Sequence, residues 1–537
     1  METSLTDARI RAMTAAGYWR NESLADYLDR WARERPARTA LVDRWGRTTW
    51  EELARAVDRV ANGLAERGVG RGSVIACQLP NWIEAIVVFL AALRLGAVIN
   101  PIPPTYRASE LRFMLGLLET QVAVVPAAFR GFEHAGMLAA LRPELPRLEH
   151  VFVVRGDGPA GTIPFAALAG APPGRGGAPA GTAVNAVHEV VFTSGTTGEP
   201  KGVMHTENTT LSIMYRAIER LELSGRDVVL MASTLGHQTG FLFGHCLNLL
   251  LGATTVWMDI WNPGEAARLI EAERVTVSMG ATPFLRDLTY LETAASLRSL
   301  RLFIAAGAPI PRPLVRDARG RLGCAISAGW GMTENGMVTC NGLRDAEEKI
   351  FGSDGAPLAG MELRVVDDQG APVAPGVEGD LLVRGPSLFV GYVKRPQFTA
   401  DAHTAEGWFR TGDRGTLDPE GYLAITGRSK DLIIRGGENI PVVEVENLLY
   451  THPKIAGVAI VAIPDPRLGE RACAVVIPRE HERITLEDIT AYLEAHQLAR
   501  QKFPERLELV SEFPMTPSGK VQKFKLRDLI AERARPT

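Results

Sequence analysis

Residues 191–203 read VFTSGTTGEPKGV, an apolar, strand-like run that opens into a loop of glycines and hydroxyls with one lysine. Gly195, Gly198 and Gly202 let the backbone approach an anion closely, and Thr193, Ser194, Thr196 and Thr197 add hydroxyl donors beside exposed amides. Lys201 adds a mobile positive charge. A strand feeding such a loop predicts an α/β fold that handles a nucleoside triphosphate. The spacing is not that of a P-loop: Pro200 stands where the last glycine belongs, and Gly202 follows the lysine where Ser or Thr is needed. Kinase-type and GTPase-type chemistry lose ground accordingly.

Working outward from the loop, helical and strand-like patterns alternate. Residues 23–34 and 49–68 have helical spacing, and 39–42, 74–78, 98–100, 122–125 and 151–154 are short apolar runs, the pattern of parallel sheets with crossover helices. Residues 169–183, AGAPPGRGGAPAGTA, are too rich in Gly, Pro and Ala to pack and read as a connector. From Glu362 short alternating strands predict a β-rich subdomain over about 362–427, with a smaller α+β unit after it.

The 537 residues exceed one core and point to about three or four units. A hydrophobic share of 46% with 23% charged residues is that of a globular protein, and a net charge of −3 gives no electrostatic case for nucleic acid. Cys77, Cys246, Cys324, Cys340 and Cys473 form no CxxC pair, so neither a disulfide framework nor a zinc site is indicated, and a cytoplasmic location is expected. METSLTDARIRAM lacks a basic region followed by an apolar one, and the apolar stretch 82–98 is interrupted by Glu84 and Arg94, which predicts neither a secretion signal nor an integral membrane segment.

SGTTGEPKG resembles the signature of the adenylate-forming superfamily, which contains acyl-CoA synthetases, peptide-synthetase adenylation domains and luciferases. Further stretches carry the resemblance over nearly the whole chain. Residues 329–334, GWGMTE, are similar to its second signature, with Trp330 where Tyr is usual; the resemblance implies adenine stacking by Trp330 beside Gly329 and Gly331, an α-phosphate contact from Thr333, and Mg²⁺ ligation by Glu334. WFRTGD at 408–413 and GRSKDLIIRGGEN at 427–439 place Asp413 and Arg428 at the ribose, Lys430 at the hinge, and Gly436 and Gly437 along a CoA channel. PMTPSGK at 514–520 implies that Lys520 is the adenylation lysine, a cation for the negative charge that accumulates when a carboxylate attacks the α-phosphorus. The implied architecture is a large N-terminal domain of stacked α/β subdomains (1–427), a hinge (428–430) and a small mobile C-terminal domain (431–537).

On the acyl side, TLGHQTGF at 234–241 places His237 beside the substrate carboxylate and Phe241 in the acyl pocket. Residues 237–242 offer no acid to pair with a substrate ammonium, and Gln238 stands where aryl-acid members usually carry Asn. MGATPF at 279–284 and AAGAP at 305–309 assign Gly280 and Ala281 to the acyl pocket and Gly307, Ala308 and Pro309 to the adenine cleft, their small side chains leaving volume for an apolar group. The resemblance is to bacterial short- and medium-chain acyl-CoA synthetases and cyclohexanecarboxylate-CoA ligases. It implies ATP, Mg²⁺ and CoA as cofactors and cosubstrates and a fatty or alicyclic acid as substrate. Gln501 in ARQKFP departs from the pattern, because an aromatic for the base of CoA is usual there. An enzyme that stops at the adenylate and hands the acyl group to a carrier protein or partner enzyme is therefore a rival reading; a catalytically silent ATP or acyl-adenylate sensor is another.

Overall fold

A computed structural model describes residues 1–169, 183–193, 200–308, 310–428, 433–435, 438–440, 442–465, 469–496, 498, 500–516 and 519–533. Two large sheets dominate them. The seven-stranded sheet runs Ile163–Pro164, His150–Val154, Val122–Pro126, Val74–Cys77, Val98–Pro101, Val187–Thr193, Lys201–Thr206, and the nine-stranded sheet places Val228–Met231 between Val277–Gly280 and Thr254–Trp257. The interior pairings are parallel, as the alternation of helices and apolar runs implies. Antiparallel hairpins finish the edges: Lys201–Thr206 folds back on Val187–Thr193, and Gly336–Cys340 on Ala325–Met332.

Local chemistry explains the helices between the sheets. Trp50–Ala65 starts at Thr49, whose side chain caps the Glu52 amide while the Glu52 carboxylate accepts from Thr49, and it buries Leu53, Val57, Val60 and Leu64 on one face. The apolar stretch that looked too interrupted for a membrane is Ile83–Arg94, buried from Ala85 onward. Such a helix is apolar all round because protein covers every side. Buried Arg94 is neutralised by Asp29 and Asp58. Among the described residues no helix is long and apolar enough to cross a membrane.

The β-rich region is a four-stranded antiparallel sheet of Glu362–Val366, Gly379–Arg384, Phe409–Leu417 and Leu423–Arg428. After it a five-stranded sheet, centred on the long Ile455–Asp465/Gly469–Pro478 pair, packs helices Val442–Leu449 and Leu486–Ala495 around its own core of Ile433, Val445, Leu449, Ile460, Val476 and Leu493.

Candidate active site

Parallel register gathers one edge of the nine-stranded sheet. Met231 lies opposite Met279, Met279 opposite Ile304, and Ile304 opposite Ser327, so the segments leaving these four strands emerge side by side. They carry His237, Gly280 with Ala281, Gly307 with Ala308, and Trp330. Ligands of open α/β sheets sit outside such carboxyl ends.

The His237 loop is held from beneath. Asn81 donates to the carbonyls of Ser233 and Met258 and accepts from the Leu235 amide at 2.9 Å. A Cβ on Gly236 would lie 2.4 Å from the Pro103 nitrogen, so only glycine lets the loop lie this close. The Thr239 amide donates to His237 Nδ1 at 3.2 Å, which leaves the proton of a neutral ring on Nε2. Burial, with the charge of Lys520 second, pushes this imidazole down to about 3, so it is a neutral donor at physiological pH.

Lys520 reaches the same edge from the C-terminal unit. Met515 and Val521 bridge antiparallel, the Thr516 amide donates to the Lys520 carbonyl at 2.7 Å, and the Lys520 amide donates to Thr516 Oγ1 at 2.9 Å. Gly519 takes φ +80°, and a Cβ there would sit 3.3 Å from that of Ala281; one on Gly307 would sit 4.0 Å from Lys520 Cε. The turn thus rests against Ala281 and Gly307 with its lysine near His237.

Two carboxylates, Asp413 and Glu334, and two aromatic residues, Trp330 and Tyr392, close the site. Trp330 Nε1 donates to Asp413 Oδ2 at 2.8 Å, and Arg428 Nε approaches Asp413 Oδ1 at 2.9 Å across the strand pair that sets Asp413 opposite Arg428. Glu334 is buried; Tyr392 donates its hydroxyl to Oε1 at 2.9 Å, and among the described residues Oε2 has no hydrogen-bond partner. Desolvation raises the Glu334 pKa, while the Tyr392 hydrogen bond and the charges of Lys201 and Arg428 oppose the rise. Lys201 Nζ stands 5.2 Å over the Tyr392 ring, so Tyr392 lies between this lysine and Glu334. His205 Nε2 meets the Thr333 carbonyl at 2.7 Å, tying that hairpin to the Thr333–Glu334 turn. A buried, hard carboxylate oxygen beside the Lys201 hairpin fits a divalent cation, so the residues present suit Mg²⁺ at Glu334.

Thr193 and Lys201 face each other across the hairpin at its open end. Ser194, Gly195, Thr196, Thr197, Gly198, Pro309, Lys430, Gly436 and Gly437 lie outside the described residues. Gly329 and Gly331 are required by close backbone approach: a Cβ would lie 2.8 Å from the Thr339 carbonyl oxygen and 1.8 Å from that of Gly336. Gly280 admits the Phe284 ring, 2.5 Å from where its Cβ would stand, and Ala281 admits the Lys520 turn, so their small size is used in packing here. Phe241 is buried, with ring contacts to Phe89, His188 and His245. Phe503 packs against the C-terminal core.

Tyr392, His205 and Asn81 were not singled out from sequence; their roles depend on tertiary contacts that no spacing reveals. The same holds for Glu189. A β-bulge in the Val187–Thr193 strand falls at the His188 step, and Glu189 is fully buried near Gln238. Burial pushes its carboxyl up to about 8, and the nearby Gln238 amide offsets this in small part.

Family models match in two parts: that of the AMP-binding enzyme over residues 28–393 and that of the AMP-binding enzyme C-terminal domain over 444–520. The chain is 38% identical to the medium-chain fatty-acid–CoA ligase of Escherichia coli (strain K12), covering 99% of this chain and 95% of that one. It is 34% identical to a salicylyl-CoA synthase / salicylate adenylyltransferase of a Streptomyces species, covering 97% and 96%. Among solved structures, ATP-bound MatB from Rhodopseudomonas palustris superposes with a TM-score of 0.85 at 28% identity, covering 95% of this chain and all of that one. With both domains matched and relatives aligned end to end, the chain belongs to the AMP-binding, adenylate-forming enzymes and is an AMP-forming acid–thiol ligase.

Proposed function

We propose that this ligase activates a fatty or alicyclic acid lacking an amino group, using ATP, and passes the acyl group to CoA. The observation that carries this reading is the Lys520 turn resting on Ala281 and Gly307 at the sheet edge where His237 also emerges. A cation from the C-terminal unit thereby meets the acyl and nucleotide sides of one cleft.

In the first step an oxygen of the substrate carboxylate attacks the α-phosphorus; a new O–P bond forms, and the bond to the pyrophosphate oxygen breaks, the electron pair leaving with pyrophosphate. Two anions must approach, and negative charge spreads over the phosphoryl oxygens. Lys520 lowers this barrier because its charge is fixed where that charge develops. His237, neutral with its proton on Nε2, orients the carboxylate by hydrogen bonding and puts no second fixed cation beside Lys520. Asp413 and Arg428 hold the ribose, and Trp330 stacks on the adenine. Thr193 and Lys201 lie at the phosphate loop, and Thr333 meets the α-phosphate. Mg²⁺ held through Glu334 would neutralise phosphate charge as a Lewis acid.

In the second step the sulfur of the CoA thiol attacks the acyl carbonyl carbon; a C–S bond forms, the bond from that carbon to the phosphate oxygen breaks with its electron pair leaving on AMP, and the thiol proton passes to solvent. The C-terminal unit turns about Lys430, withdrawing Lys520 and bringing the Gly436–Gly437 stretch to the thiol channel. Gln501 favours one second reading, transfer of the adenylated acyl group to a carrier protein or partner enzyme.

The test is product analysis by mass spectrometry after incubation with ATP, Mg²⁺ and fatty, alicyclic, aromatic and hydroxylated acids, with and without CoA. Acyl-CoA from a fatty or alicyclic acid is expected. Acyl-AMP that persists in excess CoA would replace CoA by another acceptor, and turnover confined to aromatic acids would overturn the substrate class.

A further inference from the structure

Trp330 occupies a position where its flat ring and its one polar atom have separate uses. The strand Ala325–Met332 pairs with Gly336–Cys340, and the register shifts between Trp330 and Gly331. A bulge re-aims the side chain next to it, and here the indole edge meets Asp413 with Nε1 to Oδ2 at 2.8 Å. Both residues are buried, at 8% and 5% exposure. The Asp413 amide donates to Thr411 Oγ1 at 3.0 Å, and Thr411 Oγ1 donates to the Leu381 carbonyl at 2.7 Å, which holds the backbone beneath the carboxylate. Arg428 forms an ion pair with the other oxygen, Nε to Oδ1 at 2.9 Å.

Each carboxylate oxygen accepts about two hydrogen bonds. With the indole donor on one oxygen and the Arg428 guanidinium paired with the other, the carboxylate cannot rotate freely about its Cβ–Cγ bond, and each oxygen keeps acceptor capacity. Two neighbouring acceptors in a fixed plane match two neighbouring hydroxyls. Phenylalanine at 330 would keep a stacking face and lose the donor, and a tyrosine carries its donor on the ring axis rather than at the edge.

We infer that Trp330 is a positioning residue for ribose recognition: its indole N–H sets the Asp413 carboxylate so that the nucleotide's vicinal hydroxyls are read, separately from any stacking of its ring on the base. This rests on the proposed nucleotide site and adds to it a basis for choosing ribo- over deoxyribonucleotides.

The experiment compares kcat/KM for ATP, 2′-deoxy-ATP and 3′-deoxy-ATP in acid-dependent ATP–pyrophosphate exchange, for the parent enzyme, Trp330→Phe, Asp413→Asn and the double variant. Loss of stacking alone lowers all three nucleotides by one factor. Loss of the indole donor lowers ATP most, because only ATP has both hydroxyls to be read; the ATP preference should shrink about 10-fold in Trp330→Phe, from the loss of a hydrogen bond to a charged group. In the Asp413→Asn background the same substitution should leave the preference unchanged. An equal loss on all three nucleotides, or a preference that Trp330→Phe leaves intact, overturns the inference. Should Trp330→Phe not fold, Asp413→Asn alone decides: an unchanged ATP preference in it also overturns the inference. Parent enzyme that exchanges pyrophosphate with none of the acids would instead sink the proposed function itself.

Discussion

Replacing Tyr392 with Phe isolates one hydroxyl in the site. That hydroxyl donates to Glu334 Oε1 at 2.9 Å, and among the described residues no other side chain hydrogen-bonds this carboxylate, so the substitution removes its side-chain donor. Burial already raises the pKa of Glu334, and the tyrosine hydrogen bond opposes that rise. Removing the bond therefore moves the pKa further up. A hydrogen bond to a charged group contributes about 1.5–3 kcal/mol, which at 1.36 kcal/mol per pH unit is a shift of about 1–2 units. Glu334 must be ionised to hold a cation, so activity is lost from the acid side inward. The assay is kcat/KM for ATP–pyrophosphate exchange from pH 5 to pH 9, repeated across Mg²⁺ concentrations. The acid limb of Tyr392→Phe should lie about 1–2 pH units above the parent's, with a higher Mg²⁺ requirement at pH 7 and recovery toward pH 9. An acid limb that stays with the parent's, together with an unchanged Mg²⁺ dependence, would refute the assignment of Glu334 to the metal and of Tyr392 to its support.

Glu189 gives a stability prediction with a definite sign. Its carboxyl is raised from 4.5 to about 8, so between those values the unfolded chain has released a proton that the folded chain keeps, and stability falls as pH rises through that window. Glu189→Gln removes this dependence, and by calorimetry its stability relative to the parent should improve between pH 5 and pH 8.5 by on the order of 3–5 kcal/mol; a constant difference would mean that Glu189 ionises in the fold. Gly331→Ala places a Cβ 1.8 Å from the Gly336 carbonyl oxygen, and urea unfolding should show a loss of about 2–4 kcal/mol; a loss within the ±0.5 kcal/mol or so usual for surface changes would be contrary to the hairpin geometry. His237→Asn should raise KM for the acid about 10- to 100-fold, the range for a hydrogen bond to a charged group, and leave the acid limb in place, because an imidazole held at about 3 does not titrate there. A moved acid limb would show that His237 is the titrating group.

Much of the fold was legible because its signals are local. The loop after Phe192 marked the end of a strand, the helical spacing from Thr49 marked a helix, and the texture change at Glu362 marked the four-stranded sheet. The motifs also named four segments that parallel pairing then set side by side. What stayed hidden depends on contacts between distant parts of the chain. Tyr392 is 58 residues from Glu334, Asn81 is 154 from Leu235, and Trp330 is 83 from Asp413. Trp330 was read as a stacking ring because its motif position describes a face; the direction of its N–H depends on the strand bulge beside Gly331. Gly280 and Ala281 were read as room for substrate, whereas size alone does not say that Phe284 and the Lys520 turn use that room.

The central claim is that one cleft serves two reactions, with Lys520 needed only for the first. Lys520→Ala should be assayed in both halves: acyl-adenylate formation from acid and ATP, and thioester formation from supplied acyl-AMP and CoA. The account predicts a loss of about 10²–10³-fold or more in the first, the scale for removing a preorganised transition-state donor, with the second left near the parent rate. An equal loss in both halves would contradict it.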